Sequence, residues 1–283
     1  MADRHSPGVR RRRLSAALRR LRADSGLTAA EAAKRLGWAS PAKVTRIERN
    51  EWKLPRRREV EAMLDLYEVT GEEREHLLSL VEESRERSEW QKYQDLFVGP
   101  LPEFEAEAVR IRTYEALLIP GLLQTPDYAA AVFRGGQVVA SSEIDRKVEA
   151  RMARRQVLDA PKGPHLTAVI DEAALRKVAG SRVVMQEQLQ FLAGMASHYK
   201  VTVIVIPNQA GTHAAIDGPF SLIDFPRPEP SVVCLSTAVE PLYVEEQTYV
   251  DRYSLVFDHA QGTALSAEQS LELINTIADE LIG

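Results

Sequence analysis

The sequence predicts an all-α domain of five helices followed by an α+β domain with a small mixed β-sheet packed by helices. Apolar residues near the N-terminus recur at helical spacing, whereas a continuous β-branched run stands at residues 201–206. A length of 283 residues is typical of two domains. The stretch Gly99-Pro100-Leu101-Pro102 interrupts the chain between them. The predicted domains are residues 1–86 and 103–283, joined by a connecting helix or linker over 87–102.

Five helices are predicted in the first domain because its apolar residues recur three or four positions apart. The positions are Leu14, Ala17, Leu18 and Leu21; Ala32, Ala33 and Leu36; Val44 and Ile47; Val60, Met63, Leu64 and Tyr67; and Leu77, Leu78 and Val81. Capping boxes mark two of the starts, Thr28 with Glu31 for the second helix and Thr70 with Glu73 for the fifth.

The second and third helices are predicted to be joined by a tight turn. Gly37 closes the second helix, where a residue with positive φ is favoured, and Ser40 followed by Pro41 starts the third. In the third helix Val44 and Ile47 face inward, and Lys43 lies on the flank. At about 100° per residue, the residues that face outward are Ala42, Thr45, Arg46 and Arg49. A polar, basic face on the second of two such helices is typical of insertion into the major groove of DNA. The alternative is a plain helical pair with a solvated basic face.

The five helices resemble the Cro/CI-type helix-turn-helix domain of the XRE family over about residues 10–85. The most specific stretch is Arg46-Ile47-Glu48-Arg49-Asn50 followed by Pro55. The resemblance implies base reading by Ser40, Ala42, Lys43, Thr45 and Arg46. It implies phosphate contacts by Thr28, Arg49, Lys53 and Arg56. Asn50 stands where glycine is usual, and we expect it to adopt the left-handed conformation, which Asn tolerates. The turn from Gly37 to Val44 is one residue longer than the commonest pattern.

Charge divides the chain in two. Residues 1–58 hold 17 Lys and Arg against 5 Asp and Glu, a net charge of +12. The remainder holds 19 against 36, a net charge of −17. A compact basic head suits polyanion binding, and an acidic body is repelled from DNA. The run Arg10–Arg13 is either a solvated, frayed terminus or an arm that follows the DNA backbone or enters the minor groove.

Several classes of protein are not expected. The single cysteine, Cys234, excludes an intramolecular disulfide and is predicted in a buried strand. There is no apolar run near 18 residues and no signal peptide, so we expect a cytoplasmic, nucleoid-associated protein without a membrane partner. No CxxC, HExxH, Walker, GxGxxG or GxSxG motif is present. We therefore expect no enzyme, no catalytic residue, no cofactor and no metal.

The second domain is predicted to mix helices and strands. The predicted strands are residues 166–170, 201–206, 220–225 and 232–235. The predicted helices are residues 104–119, a helix capped by Thr125, 146–158, 172–178, 183–199, 249–259, and a last one capped by Ser266 with Gln269 and ending near 282.

This domain resembles the antitoxin-like effector domain of actinobacterial WhiJ-like regulators. The similarity spans most of residues 95–275, and its stretches are Ile119–Thr125 with Tyr128 and Ala129; Arg151–Gln156 with Leu158; Asp171–Leu175; Gln188 and Leu189; and Val203–Pro207 leading to Gly211, His213, Gly218 and Phe220. The resemblance implies a transcriptional regulator of development or secondary metabolism, often encoded beside a small partner protein.

The loop after the β-branched strand is the candidate ligand or partner site of this domain. Its residues of interest are Gly211, His213, Asp217 and Gly218. Loops at strand ends commonly form binding sites. Asp171 and Glu172 are adjacent carboxylates, but a position at a helix N-terminus explains Glu172 structurally.

The sequence favours a sequence-specific transcriptional regulator that binds double-stranded DNA as a homodimer, because two half-sites multiply specificity. Its C-terminal domain is expected to receive a ligand or a small protein encoded nearby. Two alternatives stay open: an enzyme or toxin-like effector with a DNA-tethering head, and an adaptor whose basic head contacts an acidic protein.

Overall fold

The computed structural model describes residues 7–52, 56–84, 93, 95–96, 99–136, 140–227, 229–237 and 241–281. The chain divides into two compact units, residues 1–92 and 93–283. The helices of the first unit are α1 (Pro7–Asp24), α2 (Ala29–Arg35), α3 (Pro41–Glu48), α4 (Arg57–Leu66) and α5 (Gly71–Glu83). Most of the predicted connecting segment lies outside the described residues.

The first unit is held together by one hydrophobic core to which all five helices contribute, as the apolar spacing predicts. Leu14, Leu18, Val44, Val60 and Leu64 are completely buried in it. Burying a side chain of this size contributes about 1.5–3 kcal/mol. The core therefore fixes which face of each helix remains outside.

One of the two predicted capping boxes forms. The Thr28 hydroxyl accepts from the Glu31 amide and the Glu31 carboxylate accepts from the Thr28 amide. The box predicted at Thr70 is wrong, because Thr70 makes no side-chain cap and Glu73 instead pairs with Arg20 of α1. Gly71 has φ +66°, which turns the first residue of α5 away from the geometry that a box requires.

Helix α3 ends as expected at Asn50, whose φ is +57°. The Asn50 amide donates to the Ile47 carbonyl at 3.1 Å, and the Glu51 amide donates to the Arg46 carbonyl at 2.8 Å. This pair of bonds is a Schellman motif, which satisfies the last carbonyls of the helix. Glu68 ends α4 in the same conformation, also at φ +57°.

The second unit is a mixed six-stranded sheet packed by helices, as predicted. Its helices are α6 (Leu101–Glu107), α7 (Pro126–Gly135), α8 (Ile144–Arg155), α9 (Glu172–Arg176), α10 (Arg182–Met195), α11 (Gln247–Thr263) and α12 (Ala267–Glu280). Its strands are β1 (Arg110–Glu115), β2 (His165–Asp171), β3 (Val201–Ile206), β4 (Phe220–Asp224), β5 (Val232–Leu235) and β6 (Leu242–Val244). The strand order is β3-β2-β1-β4-β5-β6; β1, β2 and β3 are parallel, and the other neighbours are antiparallel.

The helix predicted over residues 104–119 is wrong. Only Leu101–Glu107 is helical, and residues 110–115 form β1, which lies between β2 and β4 within the sheet. The residues of β1 alternate between the two faces, with Arg112 and Tyr114 on one and Thr113 and Glu115 on the other. Strand β6 was not predicted.

Strand β3 is buried as predicted although it lies at the edge of the sheet. Its backbone is not left open, because the Val205 amide donates to the Ser270 hydroxyl of α12 at 2.9 Å. The Leu265 amide donates to the Val205 carbonyl, also at 2.9 Å. The start of α12 therefore covers an edge that could otherwise pair with another strand.

Candidate functional site

The outer face of α3 is open in the first unit. Ala42, Arg46 and Arg49 are exposed, while Val44 and Ile47 on the opposite side are buried. Thr45 is half-buried and its hydroxyl donates to the Pro41 carbonyl at 3.3 Å. Within the described residues, Arg46 forms no ion pair and no side-chain hydrogen bond. Its guanidinium group can therefore bind an external acceptor.

Two other predicted base-reading residues have local partners. The Ser40 hydroxyl caps α3 by accepting from the Ala42 amide at 3.2 Å. The Lys43 ammonium group lies 2.7 Å from a Glu59 carboxylate oxygen of α4 and 4.2 Å above the centre of the Trp38 ring. Lys43 thus links α3 to α4 and to the turn before α3, so its charge is already compensated.

The predicted phosphate-binding residues are placed unequally. Arg49 and Arg56 are exposed, and the Arg56 guanidinium group is 3.8 Å from Glu59. The Thr28 hydroxyl donates to Glu31 at 2.7 Å, and hydrogen bonds from Thr28 hold the pKa of Glu31 below its ordinary value. A phosphate at Thr28 would compete with that bond. Lys53 and Pro55 lie outside the described residues.

An ion pair that sequence reasoning missed fixes α3 in place. Arg22 of α1 binds both carboxylate oxygens of Glu48 at 2.7 and 2.9 Å, and its third nitrogen donates to the Leu27 carbonyl at 2.7 Å. The Glu48 side chain is 5 % exposed. The available signal was the spacing, because Glu48 follows Val44 by four positions and so faces inward, where a carboxylate needs a partner.

Trp52 provides a second attachment after α3. Its indole nitrogen donates to the Ser15 hydroxyl of α1 at 3.0 Å, and the ring packs on the hydrophobic core. The chain that leaves α3 is therefore anchored to α1. Both attachments lie at the C-terminal end of α3 and hold that end against α1.

The run Arg10–Arg13 is neither a frayed, solvated terminus nor an extended arm in this structure. These residues lie inside α1, and Arg10 and Arg12 are buried. A frayed, solvated terminus would leave them exposed, and an arm that follows DNA would not be helical and buried. Both interpretations are wrong.

In the second unit, the predicted ligand loop is divided between two environments. The His213 side chain is 2 % exposed, and its Nε2 lies 3.2 Å from an Asp171 carboxylate oxygen. Its Nδ1 accepts from the Ala215 amide at 3.3 Å, which assigns the proton to Nε2. Both ring nitrogens are thus engaged, and His213 offers no free nitrogen to act as a base.

Asp217 and Gly218 lie elsewhere, on a cleft of about 470 Å³. This cleft is also lined by Phe220 of β4, Leu235 of β5 and Arg252 of α11. Gly211 is exposed and has φ +70°, and neither it nor His213 lines the cleft. The structure therefore brings together only Asp217 and Gly218 of the four predicted residues.

The adjacent carboxylates Asp171 and Glu172 have structural partners. Asp171 caps α9 by accepting from the Ala173 amide at 3.3 Å. Glu172 accepts from the Asn208 amide at 2.8 Å and from Arg176 at 2.6 Å. Among the residues that the structure describes, no three His, Cys, Asp or Glu side chains are grouped to hold a metal ion. None of the described helices has the length and apolar character needed to cross a membrane.

Helices α2 and α3 are short, are joined by a tight turn and pack into one helical core, with the outer face of α3 exposed. This arrangement defines a helix-turn-helix domain. Comparison with known families agrees, since a model described as a helix-turn-helix domain matches residues 13–77. The chain belongs to the family described as Domain of unknown function (DUF5753), whose model matches residues 98–276. No curated protein and no solved structure matches the chain.

Proposed function

We propose that the chain is a sequence-specific, DNA-binding transcriptional regulator of the Cro/CI-type XRE class. The observation that carries the proposal is the state of α3. Its inner face is fixed by the Arg22–Glu48 ion pair, and its outer face exposes Arg46 and Ala42. A rigid helix with an uncompensated arginine on its open face suits readout of base edges in the major groove.

Arg46 and Ala42 are the proposed centre of base reading. An arginine can donate two hydrogen bonds to the O6 and N7 atoms of guanine. Arg49 and Arg56, together with Lys53, are proposed to hold phosphates beside the groove. The charge of +12 on residues 1–58 supplies the attraction to DNA that does not depend on sequence.

The remaining assignments extend this proposal to the whole protein. We propose a cytoplasmic, nucleoid-associated homodimer whose two α3 helices read half-sites about 34 Å apart. The second unit, in a WhiJ-like, antitoxin-like role, would receive a ligand or a small protein encoded nearby. The acidic charge of this half, −17 over residues 59–283, favours its standing away from the duplex.

The experiment is a gel-shift titration of the full chain against its upstream DNA and against bulk DNA at several salt concentrations. We expect Arg46→Ala to relax the preference at one base position and to cost about 1–3 kcal/mol. Arg56→Ala should weaken binding to every sequence alike and reduce the salt slope by about 1. Binding of upstream and bulk DNA with equal affinity would refute the proposal, and identical behaviour of the two variants would refute the residue assignment.

The two alternatives receive no specific support. An enzymatic effector needs a reactive group, and both nitrogens of His213, the strongest candidate, are engaged in structural hydrogen bonds. Turnover by the full chain that Asp217→Asn abolishes would favour it. An adaptor would bind an acidic protein equally well after a charge-conserving change at Arg46.

A further inference from the structure

One face of the sheet in the second unit carries a row of small polar side chains beneath a cavity. Thr113 of β1 is in register with Ser221 of β4, and Ser221 is in register with Cys234 of β5. The hydroxyl groups of Thr113 and Ser221 lie 2.9 Å apart. The cavity that these residues line has a volume of about 240 Å³. It is smaller than the usual range of about 300–1,000 Å³ for drug-sized ligands, so it suits a small metabolite.

One wall of the cavity is the loop of residues 119–125, which neighbouring side chains hold rigidly. The Gln124 side chain donates to the Ile119 carbonyl at 2.7 Å. Gln188 of α10 donates to the Leu123 carbonyl at 2.8 Å and accepts from the Thr125 amide at 2.7 Å. Arg155 donates to the Gln124 carbonyl at 3.2 Å. The wall is therefore formed before any ligand arrives, which lowers the entropic cost of binding.

Four charged side chains line the cavity, and two of them are already matched. Arg154 of α8 binds both carboxylate oxygens of Glu105 of α6, and both side chains are largely buried. Arg151 of α8 makes one hydrogen bond, to Gln124 at 2.7 Å, and its guanidinium carbon lies 4.5 Å from the centre of the Phe133 ring. An arginine has five N–H donors, so most of those on Arg151 are unused by the protein groups described.

Glu115 of β1 carries the charge opposite to that of Arg151, and its carboxylate has no hydrogen bond to the residues that the structure describes. In the part of the chain that the structure describes, no donor lies within hydrogen-bond distance of its carboxylate. Burial raises the pKa of Glu115 from 4.5 to about 7, and Arg151 opposes this rise. Burial also lowers the pKa of Arg151 from its ordinary value to about 10. Both groups are therefore poorly solvated, and each would gain from a partner of opposite charge.

We propose that this cavity binds a small zwitterion of amino-acid size, whose carboxylate pairs with Arg151 and whose ammonium group pairs with Glu115. Because Glu105 and Arg154 already match each other, a ligand that carries only a negative charge would leave Glu115 without a counter-charge. A ligand that carries only a positive charge would leave Arg151 without one. The cavity thus selects for both charges in one molecule. Only the regulatory meaning of this binding rests on the proposed function.

The test is thermal unfolding of the full chain, without DNA, in the presence of each standard L-amino acid at neutral pH. Circular dichroism or calorimetry follows the unit that contains the sheet. At about 100 times its dissociation constant, an amino acid that binds should raise Tm by about 5–10 °C. For each amino acid that does so, the acid that lacks its amino group and the amine that lacks its carboxylate should bind at least tenfold more weakly.

Glu115→Gln keeps the shape of the side chain and removes its charge, and it should weaken binding at least tenfold. Glu187→Gln, on the exposed side of α10, is the matched control and should bind like the parent chain. The proposal is overturned if no amino acid raises Tm, if the acid or the amine binds as tightly as the amino acid, or if Glu115→Gln binds unchanged. Loss of DNA binding alone would overturn only the proposed function, because this assay contains no DNA.

Discussion

The Arg22–Glu48 ion pair allows the sharpest test of how α3 is held. Glu48→Ala removes both acceptors of a guanidinium group that lies between α1 and α3. The pair is bidentate, and the exposed fractions of the two side chains are 18 % for Arg22 and 5 % for Glu48. The hydrogen bonds that Arg22 donates to Glu48 raise the pKa of Arg22 above its ordinary value. An arginine stays charged without them, because its ordinary pKa already lies far above neutral, so Glu48→Ala leaves a charged guanidinium group.

The cost can be bounded from this geometry. Removing one partner of a buried pair typically costs about 3–5 kcal/mol, because the other charge is left uncompensated. Arg22 keeps its hydrogen bond to the Leu27 carbonyl and has some access to water. We therefore expect Glu48→Ala to lower the free energy of unfolding by about 2–4 kcal/mol. Glu48→Gln retains one accepting oxygen and should cost about half as much.

Urea unfolding followed by tryptophan fluorescence measures this loss in the right part of the chain. Trp38 and Trp52 pack against the hydrophobic core of the first unit, so their fluorescence reports the unfolding of that core. The double variant Arg22→Met with Glu48→Leu should recover much of the stability, because no unpaired charge remains. A cost below about 1 kcal/mol for Glu48→Ala would refute this reasoning. So would a double variant less stable than Glu48→Ala.

Three further predictions concern backbone strain, proton linkage and an edge strand. Glu68 has φ +57°, a conformation that glycine adopts more easily, so Glu68→Gly should raise the free energy of unfolding by about 1 kcal/mol in a urea titration. The control Glu75→Gly, inside α5, should lower it by about 1 kcal/mol in the same titration. The pKa of Glu115 is raised to about 7, so the folded chain binds this proton more tightly than the unfolded chain. The resulting stability is fully present below pH 4.5 and is lost as the pH rises through 7. Glu115→Gln should remove up to about 3 kcal/mol of this pH dependence, measured as Tm against pH by circular dichroism. Ser270→Ala leaves the buried Val205 amide unpaired and should cost about 1–3 kcal/mol in calorimetry, and no loss would contradict the edge-covering role of α12.

The first unit could be predicted closely because its signals are local. Thr28 with Glu31, Gly37, and Ser40 with Pro41 each act within four residues of the place where they stop or start a helix. The Arg22–Glu48 pair was not predicted, since its partners are 26 positions apart. The box at Thr70 shows the limit of a local rule, because the positive φ of Gly71 removes its geometry.

Strand β1 was mistaken for a helix for a physical reason. A strand buried on both faces normally consists of apolar residues, but β1 buries Arg112 and Thr113 beside Ile111 and Tyr114. Arg112 is tolerated there because its guanidinium group donates to Ser254 of α11 at 2.8 Å and faces Asp224 at 3.4 Å. Those partners lie more than a hundred positions away, so no window of sequence contains the reason that this segment is a strand.

The stretches that carry the resemblance of the second unit acquire a common explanation in three dimensions. Gln124, Arg151, Arg155 and Gln188 lie in three separate stretches of sequence, yet their side chains converge on the loop at 119–125. Ile119, Leu123 and Gln124 of this loop are buried, and buried backbone groups need hydrogen-bond partners. What this loop bounds is the cavity that holds Arg151 and Glu115. These hydrogen bonds therefore hold one wall of the cavity in a fixed shape.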